Sequence, residues 1–376
     1  MRKQKSLSRR GFVQLMGAMA ISSPGLSSSL FASEGSASKN NGFAYVGCSG
    51  REKDAIEVFA IRSGRWTAIQ RVKSDRPVSM ALSTDRRFLY VVNEVSEHKG
   101  LPMGTVESYA VGNDGKIALL NRQALSLSAT MPRHLAISPN GKSIVVTAQG
   151  GVYNLMQLGE DGSIGRASGI LKETGTEARP AQPQMAIFDR AGRVISADQG
   201  TGLMRVINTK DNGLEASARN PLENGSGPLH IALHSRGTAL YIAHENSLQH
   251  FEYDSDTGHI RSLRQHIAGA GVANGSKTLA VHSSGEFLFA CNNDRGITAW
   301  QTDNSTGTLR RIGRYAEALG PLHAIDLSED GSSLTAINRE SGRVLGAAID
   351  AATGRVKEGG TLARINSPKS LAVIYS

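Results

Sequence analysis

Six short stretches of this chain combine side chains that can move protons with side chains that can hold anions. They are Asn93-Glu94, Arg133-His134 with Gln149, Gln182 and Gln184 with Asp198-Gln199, His230 with His244-Glu245, Asn292-Asn293, and His323 with Asn338-Arg339. A carboxylate or imidazole can take a proton from water, and a guanidinium can grip a carboxylate or phosphate through two parallel hydrogen bonds. Amide donors at the same place can steady a developing negative charge. A structural alternative applies to each of His134, His230 and His323, because polar residues at strand ends often only satisfy backbone groups.

These stretches occupy equivalent places in a repeat. The pattern Gly227-Pro-Leu-His-Ile-Ala-Leu-His-Ser-Arg-Gly-Thr-Ala-Leu-Tyr-Ile-Ala-His-Glu245 reads as an alternating strand, a glycine turn and a second, more apolar strand. Related copies begin at Pro77, Pro132, Pro183, Pro228, Asn274 and Pro321, and a half-copy begins at Pro368. Their spacings, about 55, 51, 45, 46, 47 and 47 residues, suit one propeller blade per repeat. Two further strand-like runs follow each pair; after Pro228 they are Leu248–Tyr253 and Ile260–His266, parted by the turn-forming Ser255-Asp256-Thr257-Gly258. No amphipathic helical pattern intervenes, so an all-β, seven-bladed propeller is expected.

The chain ends predict how the ring closes. The C-terminal run Ser370–Tyr375 has first-strand character with nothing after it, whereas Phe43–Cys48, Ala55–Ile61 and Trp66–Lys73 resemble strands two to four. The C-terminal strand should join the three N-terminal ones in one blade and remove an unpaired edge. The starts of first strands and the ends of second strands then converge on one mouth of the axial channel, with Val95–Gly104 as an insertion.

Residues 1–32 read as a signal peptide, with Arg2, Lys3, Lys5, Arg9 and Arg10 before an apolar run too short to anchor the chain permanently in a membrane. Ser8-Arg9-Arg10-Gly11-Phe12-Val13 resembles the twin-arginine export signal of bacteria, the alternative being a chance pair in an ordinary signal. Residues 33–41 read as a flexible lead-in and 42–376 as the propeller domain. The expected partner is the twin-arginine export machinery and the expected location periplasmic or secreted. The first 32 residues carry five of the 42 basic side chains and no acidic one, leaving 37 against 33 acidic. Without a dense basic run, nucleic-acid binding is not expected. Cys48 and Cys291 fall in non-adjacent blades and read as buried thiols rather than a disulfide. No CxxC, HExxH or dense carboxylate loop suggests a metal, and no cofactor is expected.

The chain resembles the seven-bladed lactonase family, which includes propeller-type 6-phosphogluconolactonase and the fungal carboxymuconate-lactonising enzyme. The resemblance rests on Tyr45-Val46-Gly47, Phe88-Leu-Tyr-Val-Val-Asn-Glu94, Pro132-Arg-His-Leu-Ala-Ile-Ser-Pro-Asn-Gly141, and Gly227-Pro-Leu-His with Glu245. It implies hydrolysis of a lactone, with a lactone or related sugar acid as the small-molecule ligand. Of the family's site residues only the glutamate is kept, as Glu245. Gln184, Leu229 and Asn293 stand where the family has His, Arg and Arg, and Gln182 where a second His often stands.

The resemblance together with the polar ring gives the expected roles. Glu245, with His230 or His244, would orient water at the lactone carbonyl. Arg133, His134, Gln184, Asn293, His323, Arg339 and Glu94 would bind substrate. Two other readings stay open: a propeller that kept the scaffold but binds without turnover, and a calcium-dependent lactonase.

Overall fold

The structure, a computed structural model, describes residues 41–376 apart from 51–53, 223–226, 271, 273–277, 293, 295, 318–319 and 376. The export-signal pattern, the lead-in up to residue 40, and Asn293 lie outside the described residues.

Among the described residues, twenty-eight strands form seven four-stranded antiparallel sheets, and each sheet is one blade of the ring. From the axis outward, six blades follow chain order. Their innermost strands are Pro77–Leu82, Thr130–Ile137, Pro183–Phe188, Pro228–Leu233, Leu279–Val281 and Ala324–Leu327. The copy that lacks a proline has the shortest of these, at three residues. In the closing blade Pro368–Tyr375 is innermost and pairs with Gly42–Cys48, which is followed outward by Ala55–Arg62 and Arg65–Lys73. The expected closure is therefore the observed one.

Burial follows from stacking blade on blade. Second strands such as Val194–Asp198 and Ala239–His244 are buried at every position, because neighbouring blades cover both faces. They accordingly read as apolar runs, not alternating ones. Fourth strands such as Arg65–Lys73 face solvent along most of their length and are polar. The core divides into seven clusters, one at each seam between adjacent blades. Stability thus depends on an unbroken ring of nearest-neighbour contacts.

Polar groups also tie blade to blade. Gln70, Asn121 and Gln265 each donate to the carbonyl and accept from the N–H of one residue in the next blade, respectively Ile117, Ile164 and Leu309. Each amide extends the neighbour's backbone pairing across the seam. Both cysteines are free and buried, in second strands of non-adjacent blades, and burial pushes the Cys48 thiol up to about 12.

Candidate functional site at the axial mouth

A repeated irregularity aims side chains into one cavity. Near the start of five inner strands the pairing with the second strand skips one residue immediately after a proline. Pro77 pairs with Asn93 and Ser79 with Val92; Pro132 with Ala148 and His134 with Thr147; Pro183 with Asp198 and Met185 with Ala197. Pro228 pairs with His244 and His230 with Ala243, while Pro368 pairs with Cys48 and Ser370 with Gly47. Proline offers no N–H to the ladder, and a bulge re-aims the extra residue. The skipped residues are Val78, Arg133, Gln184, Leu229 and Lys369. All five line a single solvent-open cavity, with Glu94, His134, Met185, His230 and Arg339 completing its wall. Six of the seven blades contribute, so the cavity lies on the ring axis.

Glu94 organises the charge in this cavity. Its carboxylate is nearly buried, 6% exposed, and accepts from Arg76 Nη2 at 2.9 Å, from Arg133 Nη1, and from Lys369 Nζ at 3.4 Å. The backbone fixes the first pair, since the Glu94 N–H donates to the Arg76 carbonyl at 3.0 Å and the Arg76 N–H to Asp54 Oδ2 at 3.0 Å. Burial holds the Lys369 ammonium below its usual range; Arg339 and Arg76 push the same way and Glu94 opposes them. Arg76, Arg133 and Lys369 therefore stand around one carboxylate, with Arg339 on the same cavity wall, a net positive cluster suited to an anion.

The structure brings together six of the expected site residues: Glu94, Arg133, His134, Gln184, His230 and Arg339. Gln184 Nε2 donates to Gln199 Oε1 at 2.7 Å, which fixes the orientation of its amide. His230 is 2% exposed on the cavity wall. His323 sits beside the wall, where the Arg339 N–H approaches its Nδ1 at 3.4 Å; burial and then Arg339 lower its pKa. His244 and Glu245 are not among the lining residues. His244 is 1% exposed within its blade, with Nε2 3.1 Å from Gln249 Oε1, and Glu245 is exposed in the turn beyond it.

Two site residues escaped sequence reasoning, Arg76 and Lys369. A signal for Lys369 was present: it follows Pro368 as Arg133 follows Pro132. Arg76 precedes its proline and carries no comparable mark. Among the described residues no group of three or more His, Cys, Asp or Glu side chains is arranged to hold a metal ion.

The profile of the family described as "Lactonase, 7-bladed beta-propeller" matches residues 32–373. The chain is 23% identical over 300 residues to the 6-phosphogluconolactonase of Bacillus subtilis, covering 76% of this chain and 83% of that one. It is 27% identical over 227 residues to an uncharacterized protein of Staphylococcus saprophyticus, covering 57% of this chain and 64% of that one. Its fold is also that of the periplasmic gluconolactonase of Pseudomonas aeruginosa, with a TM-score of 0.76 at 20% identity over 89% of this chain and 99% of that one. A putative 6-phosphogluconolactonase of Bacteroides fragilis superposes with a TM-score of 0.75 at 21% identity, over 91% and 100% of the two chains. With the seven-bladed ring and its end-to-end closure, the match over nearly the whole chain establishes that this protein belongs to the seven-bladed β-propeller lactonase family.

Proposed function

We propose that the protein hydrolyses a sugar lactone bearing an anionic or strongly polar substituent, in the cavity at the axial mouth. The observation that carries this reading is the placement of His134 and His230 in one cavity with the cations gathered around Glu94. His230, with His134 on the same wall as the alternative, takes a proton from a bound water as that water attacks the lactone carbonyl carbon. Arg133 faces the oxygen on which charge develops. The ring C–O bond then breaks, and the proton returns to the departing alkoxide to leave a hydroxy acid. Atoms and charge balance with water as the only co-reactant. Arg339 and Lys369 hold the substrate's polar substituent, and Glu94 acts as a positioning residue that keeps three cations in place. Glu245 and His244 lie outside the wall, His244 bonded within its blade to Gln249.

The substrate class is supported by the names of the relatives, a 6-phosphogluconolactonase and a gluconolactonase. Export by the twin-arginine route and a periplasmic location are supported by Arg9-Arg10 ahead of an apolar run and by the periplasmic location in the name of a structural neighbour. The test is hydrolysis of gluconolactone and of its 6-phosphate by the purified protein, corrected for spontaneous opening. Turnover of either that fails in His230→Gln supports the reading. A folded protein that opens neither above background overturns it.

A further inference from the structure

The axial cavity is electrically lopsided. Its charged lining residues, Glu94, Arg133, Arg339 and Lys369, come from the first, second, sixth and closing blades. The third and fourth blades contribute Gln184, Met185, Leu229 and His230, of which only His230 can carry charge. We propose that Gln184, held by Gln199, is a specificity-determining residue that reads a pair of hydroxyls on the substrate, so that the cavity prefers a polyhydroxylated ligand to its deoxy analogue. This role rests on the axial cavity being the substrate site, as proposed above, and adds which part of the substrate faces the third blade.

Gln184 is the residue skipped between Pro183 and Met185 in the pairing with Val194–Asp198, and it lines the cavity. Its amide is not left to rotate, because Nε2 donates to Gln199 Oε1 at 2.7 Å. Gln199 is itself anchored, its backbone N–H donating to the Gln182 carbonyl at 3.0 Å. Asp198, the residue before it, accepts at Oδ1 from the Gln182 N–H at 2.9 Å and from the Thr201 N–H at 2.8 Å, which fixes the turn that carries Gln199. Gly227, just before the inner strand of the fourth blade, leaves room for the pair. A Cβ there would stand 2.4 Å from Gln199 Cγ and 2.7 Å from the Gln199 carbonyl oxygen.

One N–H of Gln184 is committed to Gln199. A carboxamide has two N–H donors and an acceptor oxygen, so one donor and Oε1 remain. Oε1 accepts no bond from a described residue and is not a buried, unmatched atom. A donor and an acceptor side by side suit two neighbouring hydroxyls, one accepting and one donating, whereas a guanidinium or ammonium offers donors alone. Met185 beside it is engaged, its Sδ accepting from the Ile231 N–H at 3.4 Å, and Leu229 is apolar. A ligand without hydroxyls would displace water from the amide and return nothing, and that loss is the source of discrimination.

The probes are gluconate and hexanoate, carboxylates of one chain length with and without hydroxyls, titrated calorimetrically into the wild-type protein, Gln184→Leu and Gln199→Leu. Both glutamines are half-buried, and a melting curve without ligand verifies the fold of each variant. Wild type should prefer gluconate by about tenfold or more. Gln184→Leu should lose that preference by weakening gluconate and not hexanoate, and Gln199→Leu should narrow it; a merely structural role would weaken both ligands alike. The proposal is overturned by absence of saturable gluconate binding, by equal affinity of wild type for the two probes, or by a preference that survives intact in either variant. Binding needs no turnover, so the two readings fail separately. Equal affinities in a protein that opens gluconolactone would overturn the hydroxyl reader alone. A gluconate preference erased in Gln184→Leu, in a protein that opens no lactone, would support the hydroxyl reader and overturn only the hydrolysis.

Discussion

Lys369 Nζ lies 3.4 Å from Glu94 Oε2, joining the C-terminal strand to the first blade across 275 residues of sequence. One strand thus closes the ring and supplies a cation to the cavity. The same strand is fixed on both sides: Ser370 Oγ donates to the Pro77 carbonyl at 3.1 Å, and the Val373 N–H donates to Asp326 Oδ2 at 3.1 Å.

Deleting residues 368–376 should therefore abolish the fold rather than fray an end. Leu371, Ala372 and Ile374 are each under a tenth exposed. Burying a Leu or Ile contributes about 1.5–3 kcal/mol apiece, and their loss would also bare the edge of Gly42–Cys48. Cooperative melting and an unchanged elution volume in the truncated protein would contradict closure by this strand.

Much of this was legible in the sequence because each repeat carries its own punctuation. Proline marks the inner strand, a glycine turn follows, and the apolar second strand comes next; that pattern brings Arg133, Gln184 and His230 to one mouth, and they line one cavity in the structure. Lys369 was hidden because the final copy is cut short, and its direction depends on a bulge that only the pairing with Gly42–Cys48 reveals. His244 was misleading for a tertiary reason. It ends its strand as Asn93 does, and like Asn93, which binds the buried Glu107, it is held inside the blade, here by Gln249 of the neighbouring strand.

Lys369→Met should separate binding from chemistry. The ring stays closed, since Met can cover the same stem contacts, while Glu94 keeps Arg76 and Arg133. A hydrogen bond to a charged group is worth about 1.5–3 kcal/mol, which is roughly a 10- to 150-fold rise in KM for a lactone bearing phosphate or carboxylate. A neutral lactone should change far less. Equal effects on both substrates would assign Lys369 to the developing oxyanion instead of the substituent.

The two candidate proton carriers can be ranked directly. His230 lines the cavity and Glu245 does not, so His230→Gln should lower kcat by about 10²–10⁴. Glu245→Gln should fall short of that loss by at least an order of magnitude. Should Glu245→Gln prove the more damaging, the attacking water would have to lie toward the turn after His244, and the assignment made here would be wrong.

Glu107 tests the seams. Its fully buried carboxylate accepts from Ser74 Oγ, from Asn93 Nδ2 at 3.1 Å, from Tyr109 OH at 2.8 Å and from Arg122 Nε at 2.9 Å, and so ties the closing blade to the first. Glu107→Leu leaves Arg122 and three neutral groups without their shared acceptor. Breaking such a buried pair costs about 3–5 kcal/mol, which should appear as a large drop in melting temperature. A shift no larger than that of an exposed pair such as Arg264–Glu252 would mean the seam is held by apolar contact alone.

Acid should destabilise the fourth blade while Asp85 and Asp254 are still ionised. Burial lowers the pKa of both His234 and His250. Arg236 and Arg190 add to the effect at His234, and Arg264 and His234 add to it at His250. Hydrogen bonds to the Gly285 carbonyl at His234, and to Gln265 Oε1 and the Thr306 backbone at His250, with Asp303 near His234, oppose it. A depressed folded value means that the unfolded chain binds more protons, so stability rises with pH across the window between the folded value and 6.5. It is present in full above 6.5 and is lost as pH falls below it. The melting temperature should therefore decline between pH 7 and pH 5, where Asp85 and Asp254, held at about 2, remain ionised. His234→Gln/His250→Gln should flatten that decline even if the variant melts lower at pH 7. An unchanged slope in the double variant would place the acid-sensitive groups elsewhere in the ring, with His323 beside Arg339 the next to examine.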